Sequence, residues 1–212
     1  MSFRCALCLL AGVFLTSQTA RADAISIPTT FTTSGSFGCQ KGVVCTFGPD
    51  SVTVASPEGG TATITFTGVT TTFNATNHVQ SVPFGEFALT ADEGFTFPTF
   101  PTNPKRAIVR VSVTLAQTEP LLSSGAHEWR FGPGGKESLT LQMGRSGFAR
   151  SLPPNSTGYH HIVYTVRPFP FTLNPNSSTK LIANAGVVPE PASLLLFGSG
   201  IVGLFVRRRR RD

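Results

Sequence analysis

Apolar and polar residues alternate along most of the middle of the chain. Between positions 61 and 67, Ala62, Ile64 and Phe66 alternate with four threonines, and a second alternating stretch covers 108–115. A period of two residues is typical of a strand with one buried face. Further stretches rich in Thr, Val and Phe predict strands at 25–33, 43–47, 51–55, 84–90, 138–143, 159–167 and 180–187.

Turn-forming clusters of Gly, Pro, Asn and Ser separate these stretches, and the middle of the chain shows no convincing helical period. Many short strands without intervening helices predict an all-β fold, an antiparallel β-sandwich over residues 23–187. The stretch 94–105 interrupts the pattern because it carries three prolines. It predicts an extended loop or a boundary between two halves of the sandwich.

Most of the net positive charge of the chain lies at its two ends. The formal net charge is +6, but residues 23–188 contain ten Lys and Arg against nine Asp and Glu, a net charge of +1. A nearly neutral central region gives no basic face for nucleic acid, which we exclude as a partner. Charged residues make up only 13% of the chain, which favours an extracellular β-rich protein over a cytosolic enzyme.

The first 22 residues predict a secretory signal peptide that a signal peptidase removes. Arg4 precedes an uncharged, mostly apolar run from Cys5 to Thr16, and Ala20 and Ala22 occupy the small-residue positions of a cleavage site. Cleavage after Ala22 is the first choice and cleavage after Ala24 the second. A short buried helix is the alternative interpretation.

Removal of this segment leaves two cysteines, Cys39 and Cys45. In an oxidising compartment, a disulfide across this short loop is favoured, and two free buried thiols are the alternative. A metal site is disfavoured because no second Cys or His pair stands where it could complete four ligands.

The C-terminal region contains a short apolar segment followed by arginines. Residues 192–206 carry no charge, and as a helix they would measure about 22 Å, shorter than the ~30 Å core of a bilayer. Snorkelling arginines can narrow this difference, so we predict a single transmembrane helix with the body outside and the basic end in the cytoplasm. An ordinary tail anchor is the alternative. The predicted cytoplasmic stop consists of Arg207, Arg208, Arg209, Arg210 and Arg211.

The order Pro189-Glu190-Pro191, apolar segment and terminal arginines resembles the PEP-CTERM protein-sorting signal over residues 188–212. The resemblance implies export in a bacterium with an outer membrane and processing near the motif by an exosortase, a membrane transpeptidase. It also implies an association with exopolysaccharide and biofilm matrix. Physically, two prolines hold the chain extended, in the form that a processing enzyme can bind.

The sequence of residues 23–187 gives only weak evidence for a catalytic, metal or sugar site. The segment His127–Phe131 begins like a zinc-protease helix but has Phe131 where the second histidine belongs, and Ser146 lacks the second glycine of a nucleophile elbow. Sugar binding needs exposed aromatic side chains. The candidates for glycan contact are Trp129, Tyr159 and Tyr164, although burial in the core is the more common place for Trp129.

These observations predict three segments: a signal peptide (1–22), a β-sandwich domain (23–187) and a sorting signal (188–212). We expect no enzymatic activity, no cofactor and no metal. The expected protein is exported, tethered in the inner membrane as an intermediate, and then delivered to the cell surface or outside the cell. There we expect a structural or adhesive role linked to exopolysaccharide, with a carbohydrate-binding module or a secreted hydrolase as the alternatives.

Overall fold

The computed structural model describes residues 26–104, 106–119, 123–143, 147–151 and 160–189. Within them the chain forms β-strands and no helix. In chain order the strands are β1 (Ser26–Cys39), β2 (Cys45–Phe47), β3 (Ser51–Ala55), β4 (Thr61–Thr67), β5 (Thr70–Thr76), β6 (Gln80–Ala91), β7 (Val109–Glu119), β8 (Ser123–Pro133), β9 (Leu139–Met143), β10 (Gly147–Ser151), β11 (His160–Arg167), β12 (Thr172–Leu173) and β13 (Ser177–Pro189).

The strands form two sheets. One has six strands in the order β12-β9-β8-β7-β1-β5, and the other has seven in the order β10-β11-β13-β6-β4-β3-β2. All neighbouring strands are antiparallel, as in the pairs β1–β7 and β13–β6. The two sheets share a single apolar core. The predicted all-β antiparallel sandwich is therefore confirmed for the described residues.

Burial follows the period of two that the sequence shows. In β4, Ala62, Ile64 and Phe66 are buried while the threonines between them face outward. Phe87 of β6 lies where the inner faces of the sheets meet. Its ring centroid is 4.9 Å from that of Phe66 and 5.5 Å from that of Trp129. It also packs against Phe131 and Phe171, at 5.1 and 5.9 Å. Tilted and edge-to-face contacts of this kind add to the free energy gained from burial alone.

The proline-containing stretch after Gly94 is a loop that packs on this core. Phe95 and Phe97 are buried, with ring centroids 4.7 Å apart, and the Phe97 amide donates a hydrogen bond to the Lys136 carbonyl at 3.0 Å. These contacts join the loop to the sheets. The loop interpretation of the sequence is thus favoured over a boundary between two halves.

A disulfide joins Cys39, the last residue of β1, to Cys45, the first residue of β2, with the Cα atoms 6.5 Å apart. The two strands belong to different sheets, so the bridge connects the sheets across a loop of few residues. Neither cysteine is available as a thiol or a metal ligand in this state. The bond restricts the unfolded chain as well as the folded one.

The described residues contain no helix long and apolar enough to cross a membrane. The predicted signal peptide at 1–22 and the predicted helix at 192–206 lie outside the described residues. The last strand, β13, extends to Pro189, two residues beyond the predicted domain end at 187.

Replacement of Phe87 by Ala should lower the free energy of unfolding by about 3–5 kcal/mol, because it removes a buried ring that contacts both sheets. Urea unfolding of the exported protein, followed by tryptophan fluorescence, measures the change. Val44→Ala is the control: Val44 is 71% exposed, so the expected change is within about 0.5 kcal/mol. A loss below about 1 kcal/mol in Phe87→Ala would contradict this description of the core.

Replacing both Cys39 and Cys45 by Ser should lower the free energy of unfolding by about 2 kcal/mol, as chain entropy predicts for so short a loop. Urea unfolding of the oxidised parent and of the double variant measures the loss. The parent treated with reductant should move to the midpoint of the variant. A reductant that leaves the parent unchanged would indicate that the bond is not formed in solution.

Candidate functional site

The candidate site is the end of β13, where the folded domain meets the Pro-Glu-Pro motif. β13 is an inner strand, with β11 on one side and β6 on the other. Its ladder with β6 runs from Ser177–Leu89 to Ala185–Gln80, while its ladder with β11 continues to the pair Pro189–His160. The first residue of the motif is therefore also a residue of the sheet.

Pro189 has a structural role that follows from its covalent chemistry. A proline has no backbone N–H, so Pro189 cannot donate a hydrogen bond to β11 and can stand in a sheet only at a strand end or an edge. It takes the last position of β13, opposite His160. Glu190 and Pro191 follow outside the described residues. Pro189 is thus the last residue of β13 that the structure describes.

The residues just before the motif are held on two sides. Val187 points into the core and is 3% exposed, and it pairs with Ile162 of β11. Gly186 lies under the β5–β6 turn: a Cβ built on it would be 3.6 Å from the Val79 Cα and 3.7 Å from the His78 carbonyl oxygen. This segment is therefore part of the packed domain and not a flexible stalk.

The outer face of the sheet beside the motif is apolar and open. Val79 and Val188 are 73% and 48% exposed. With Val163 they line a groove of about 370 Å³, and polar side chains also border it: Asn77, Thr165, Arg167 and Asn184. An exposed apolar surface at the exit of the chain is available to a membrane or to a protein partner.

The start of the described chain lies at the same end of the sandwich. Ser26, the first residue of β1, pairs with Thr76 at the end of β5, and the Asn74 side chain donates a hydrogen bond to the Ser26 hydroxyl at 2.6 Å. The next strand begins with Gln80, which pairs with Ala185 of β13. We call this end, which carries Ser26, Val79, Val188 and Pro189, the Pro189 end.

The disulfide lies at the opposite end, which we call the disulfide end and define by Cys39, Val44 and Cys45. β1 spans 14 residues from Ser26 to Cys39, a length of roughly 40 Å. Val44 in the disulfide loop is 71% exposed, and Phe47 on the adjacent edge strand β2 is 54% exposed. The domain therefore presents exposed apolar side chains far from the motif.

The predicted glycan-contact residues do not form an exposed platform. Trp129 and Tyr164 are fully buried, so neither ring can stack on a sugar at the surface. The Tyr164 hydroxyl instead accepts a hydrogen bond from the Gln117 side chain at 2.8 Å inside the core. This corrects the sequence-based hypothesis for these two residues, because both lie on the inner faces of their strands. Tyr159 lies outside the described residues.

The weak catalytic and metal patterns find no support in the geometry. His127 and Glu128 lie on β8, a strand, where the zinc-protease pattern needs a helix. The His127 ring packs 3.8 Å from the Phe148 ring, and Glu128 forms an ion pair with Arg130. Within the described parts of the chain, no three His, Cys, Asp or Glu side chains are grouped as metal ligands. Ser146 falls outside those parts.

The sequence predicts the motif and the strand that carries Gly186 and Val187 up to it, but not the turn at 77–79 that covers Gly186. The sequence also gives no evidence of a flexible stalk before the motif. The alternation of Leu181, Ala183, Ala185 and Val187 runs to the motif with no Gly/Ser-rich spacer. The covering turn could not be found in this way, because it depends on the pairing of β6 with β13.

A family model described as the PEP-CTERM protein-sorting motif matches residues 187–211. Comparison with curated proteins and with solved structures finds no match to the chain. The C-terminal end of the chain is therefore a PEP-CTERM sorting motif, as its residues indicate. Such a motif implies export, sorting at a membrane and processing by an exosortase-type enzyme.

Proposed function

We propose that this chain is an exported structural or adhesive protein whose sandwich domain is delivered to the cell surface or the extracellular matrix through its C-terminal sorting motif. Residues 1–22 direct export and are removed by a signal peptidase. Residues 192–206 hold the intermediate in the inner membrane, with Arg207–Arg211 in the cytoplasm. An exosortase-type enzyme then processes the chain near Pro189-Glu190-Pro191. The match to the sorting motif at 187–211 is the observation that carries this proposal.

The placement of the chain ends supports a tethered intermediate. Ser26 and Pro189 lie at the same end of the sandwich, so the segments that precede and follow the domain both leave from that end. A signal peptide and a C-terminal helix can then enter one bilayer without stretching or crossing the domain. The disulfide end, roughly 40 Å away along β1, points away from the membrane.

The disulfide end supports a role in contacts with other molecules. Val44 and Phe47 expose apolar surface, and Phe47 lies on β2, the edge strand of the seven-stranded sheet as far as the chain is described. Such surfaces favour association with a partner. The body is nearly neutral, so contacts with a polysaccharide or protein matrix would not depend on strong charge attraction.

The two alternatives receive less support. A carbohydrate-binding module normally stacks sugars on exposed aromatic rings, and Trp129 and Tyr164 are buried. A hydrolase needs catalytic side chains that converge in a pocket, and the groove beside Pro189 is lined mainly by Val, Thr, Asn and Gly, with Arg167 as its charged residue. No specific observation favours either alternative over a structural role.

Glu190→Ala and, separately, deletion of Arg207–Arg211 should each block release and leave the chain in the inner membrane. The first removes the one charge of the motif, and the second removes the cytoplasmic stop that sets the position of the helix. Cell fractionation measures the retained fraction, and the mass of the mature protein gives both trimmed ends. Glu137→Ala, in an exposed turn of the folded domain, is the matched control and should be released normally.

Normal release of both sorting variants would contradict this part of the proposal. A mature protein that still contains residues 192–212 would do the same.

Replacement of both Val44 and Phe47 by Ser should reduce the fraction of released protein that stays with the matrix by about threefold or more, since exposed anchors carry much of the free energy of an association. Sedimentation of the matrix followed by immunoblotting measures this fraction. Val79→Ser at the Pro189 end is the control and should not change it. Equal retention of all variants would place the contact surface elsewhere.

A further inference from the structure

The sorting motif must become accessible to the enzyme that processes it. The β11–β13 ladder continues through Val163–Gly186, Ile162–Val187 and His161–Val188 to His160–Pro189. No residue separates the last position of the sheet from the first position of the motif. The substrate segment is thus built into the folded domain on its upstream side.

A protease or transpeptidase binds its substrate as an extended chain, and the main-chain groups on both sides of the reacting bond contact the enzyme. The main chain of residues 186–189 already pairs with β11. Val187 is also inserted in the core, and Gly186 lies beneath the turn that contains His78 and Val79. While these contacts persist, the residues upstream of Glu190 cannot enter an enzyme cleft.

The chain that follows Pro189 is short before the apolar segment begins. Only Glu190 and Pro191 stand between Pro189 and Ala192, where the apolar segment begins. Three extended residues span at most about 10 Å. An enzyme that reaches the motif from the membrane must therefore contact the Pro189 end of the sandwich. The segment between Pro189 and Ala192 is too short to keep the enzyme and the folded domain apart.

We propose that the end of β13 gates processing: the motif is processed only after residues 186–189 separate from β11. This inference rests on the proposed function, in which the motif is an enzyme substrate. Separation is local and leaves the β13–β6 ladder intact, because that ladder ends at Ala185–Gln80. Local openings of this kind need less free energy than global unfolding. The processing rate then follows the population of the open end.

The first test inserts Gly-Ser-Gly-Ser between Val188 and Pro189 in the full-length precursor. The insertion leaves the spacing from the motif to the apolar segment unchanged and gives the motif a free upstream stalk. Pulse-chase labelling in the native cell should show processing faster by about tenfold or more, since the opening step is no longer required. The same insertion between Glu58 and Gly59, in an exposed turn at the opposite end of β6, is the matched control and should leave the rate unchanged.

The second test closes the gate. His161 and Val188 are direct partners on the outer face of the sheet, so His161→Cys with Val188→Cys places two thiols across the β11–β13 pair. In isolated membranes, the oxidised double variant should be processed at least about tenfold more slowly than the reduced one. Each single variant and the parent, treated with the same reductant, control for effects on the Cys39–Cys45 disulfide.

The outcomes separate the gate from the proposed function. A faster stalk variant together with a slower oxidised variant supports the gate. If the parent and the stalk variant are processed at the same rate, or the stalk variant more slowly, the gate is wrong although the motif remains a substrate. If the parent, the stalk variant and Glu190→Ala all remain unprocessed to the same extent, the proposed function fails and the gate fails with it.

Discussion

The contact between the two sheets around Phe87 is the interaction on which the rest of the structure depends. Phe87 stands on β6, an inner strand of the seven-stranded sheet, and its ring meets Trp129 and Phe131 of the opposite sheet. Because a sheet is stable in water only when one face is covered, neither sheet would persist without this shared core. The same contact holds β6 in place, and β6 in turn pairs with β13. The position of Pro189, the first residue of the sorting motif, therefore depends on aromatic packing in the middle of the domain.

An inner strand is a suitable attachment for a membrane tether. Hydrogen bonds between antiparallel strands lie perpendicular to the strand axis, so a pull on Pro189 along β13 loads both of its ladders at once. One ladder joins β13 to β6 and the other joins it to β11. β1, at the other terminus, is also an inner strand, between β5 and β7. The domain can therefore resist tension at either end, while a peeling force directed at residues 186–189 meets only the β11 side.

The sequence predicted the fold class and several strands, and the failures have physical reasons. The bounds of β3 and β4 agree with the prediction because their buried residues alternate without interruption. β5 was missed since most of its residues are polar and at least partly exposed, and β12 has only two residues. β1 continues to Cys39, past its predicted end at 33. The prediction stopped too early because Ser34, Gly35 and Ser36 show no hydrophobic period. Gly35 is needed there: a Cβ on it would lie 2.8 Å from the Phe66 ring. Sheet order and the burial of Tyr164 depend on contacts between residues far apart in the chain.

The motif itself could be identified from the sequence. The structure adds that its first proline, Pro189, is also part of strand β13. A recognition element needs a chain that stays extended and is not absorbed into the nearest sheet. Residues 181–187 alternate regularly, and a β-branched residue in place of Pro189 could continue the ladder with β11. Pro189 lacks the N–H that such a continuation requires, and Pro191 repeats the block two residues later. Neither proline can donate the backbone hydrogen bond that a continued ladder requires. The first residue of the sorting motif is thus a residue type that a sheet accepts only at a strand end or an edge, and this explains how a motif of this composition can follow an inner strand without a spacer.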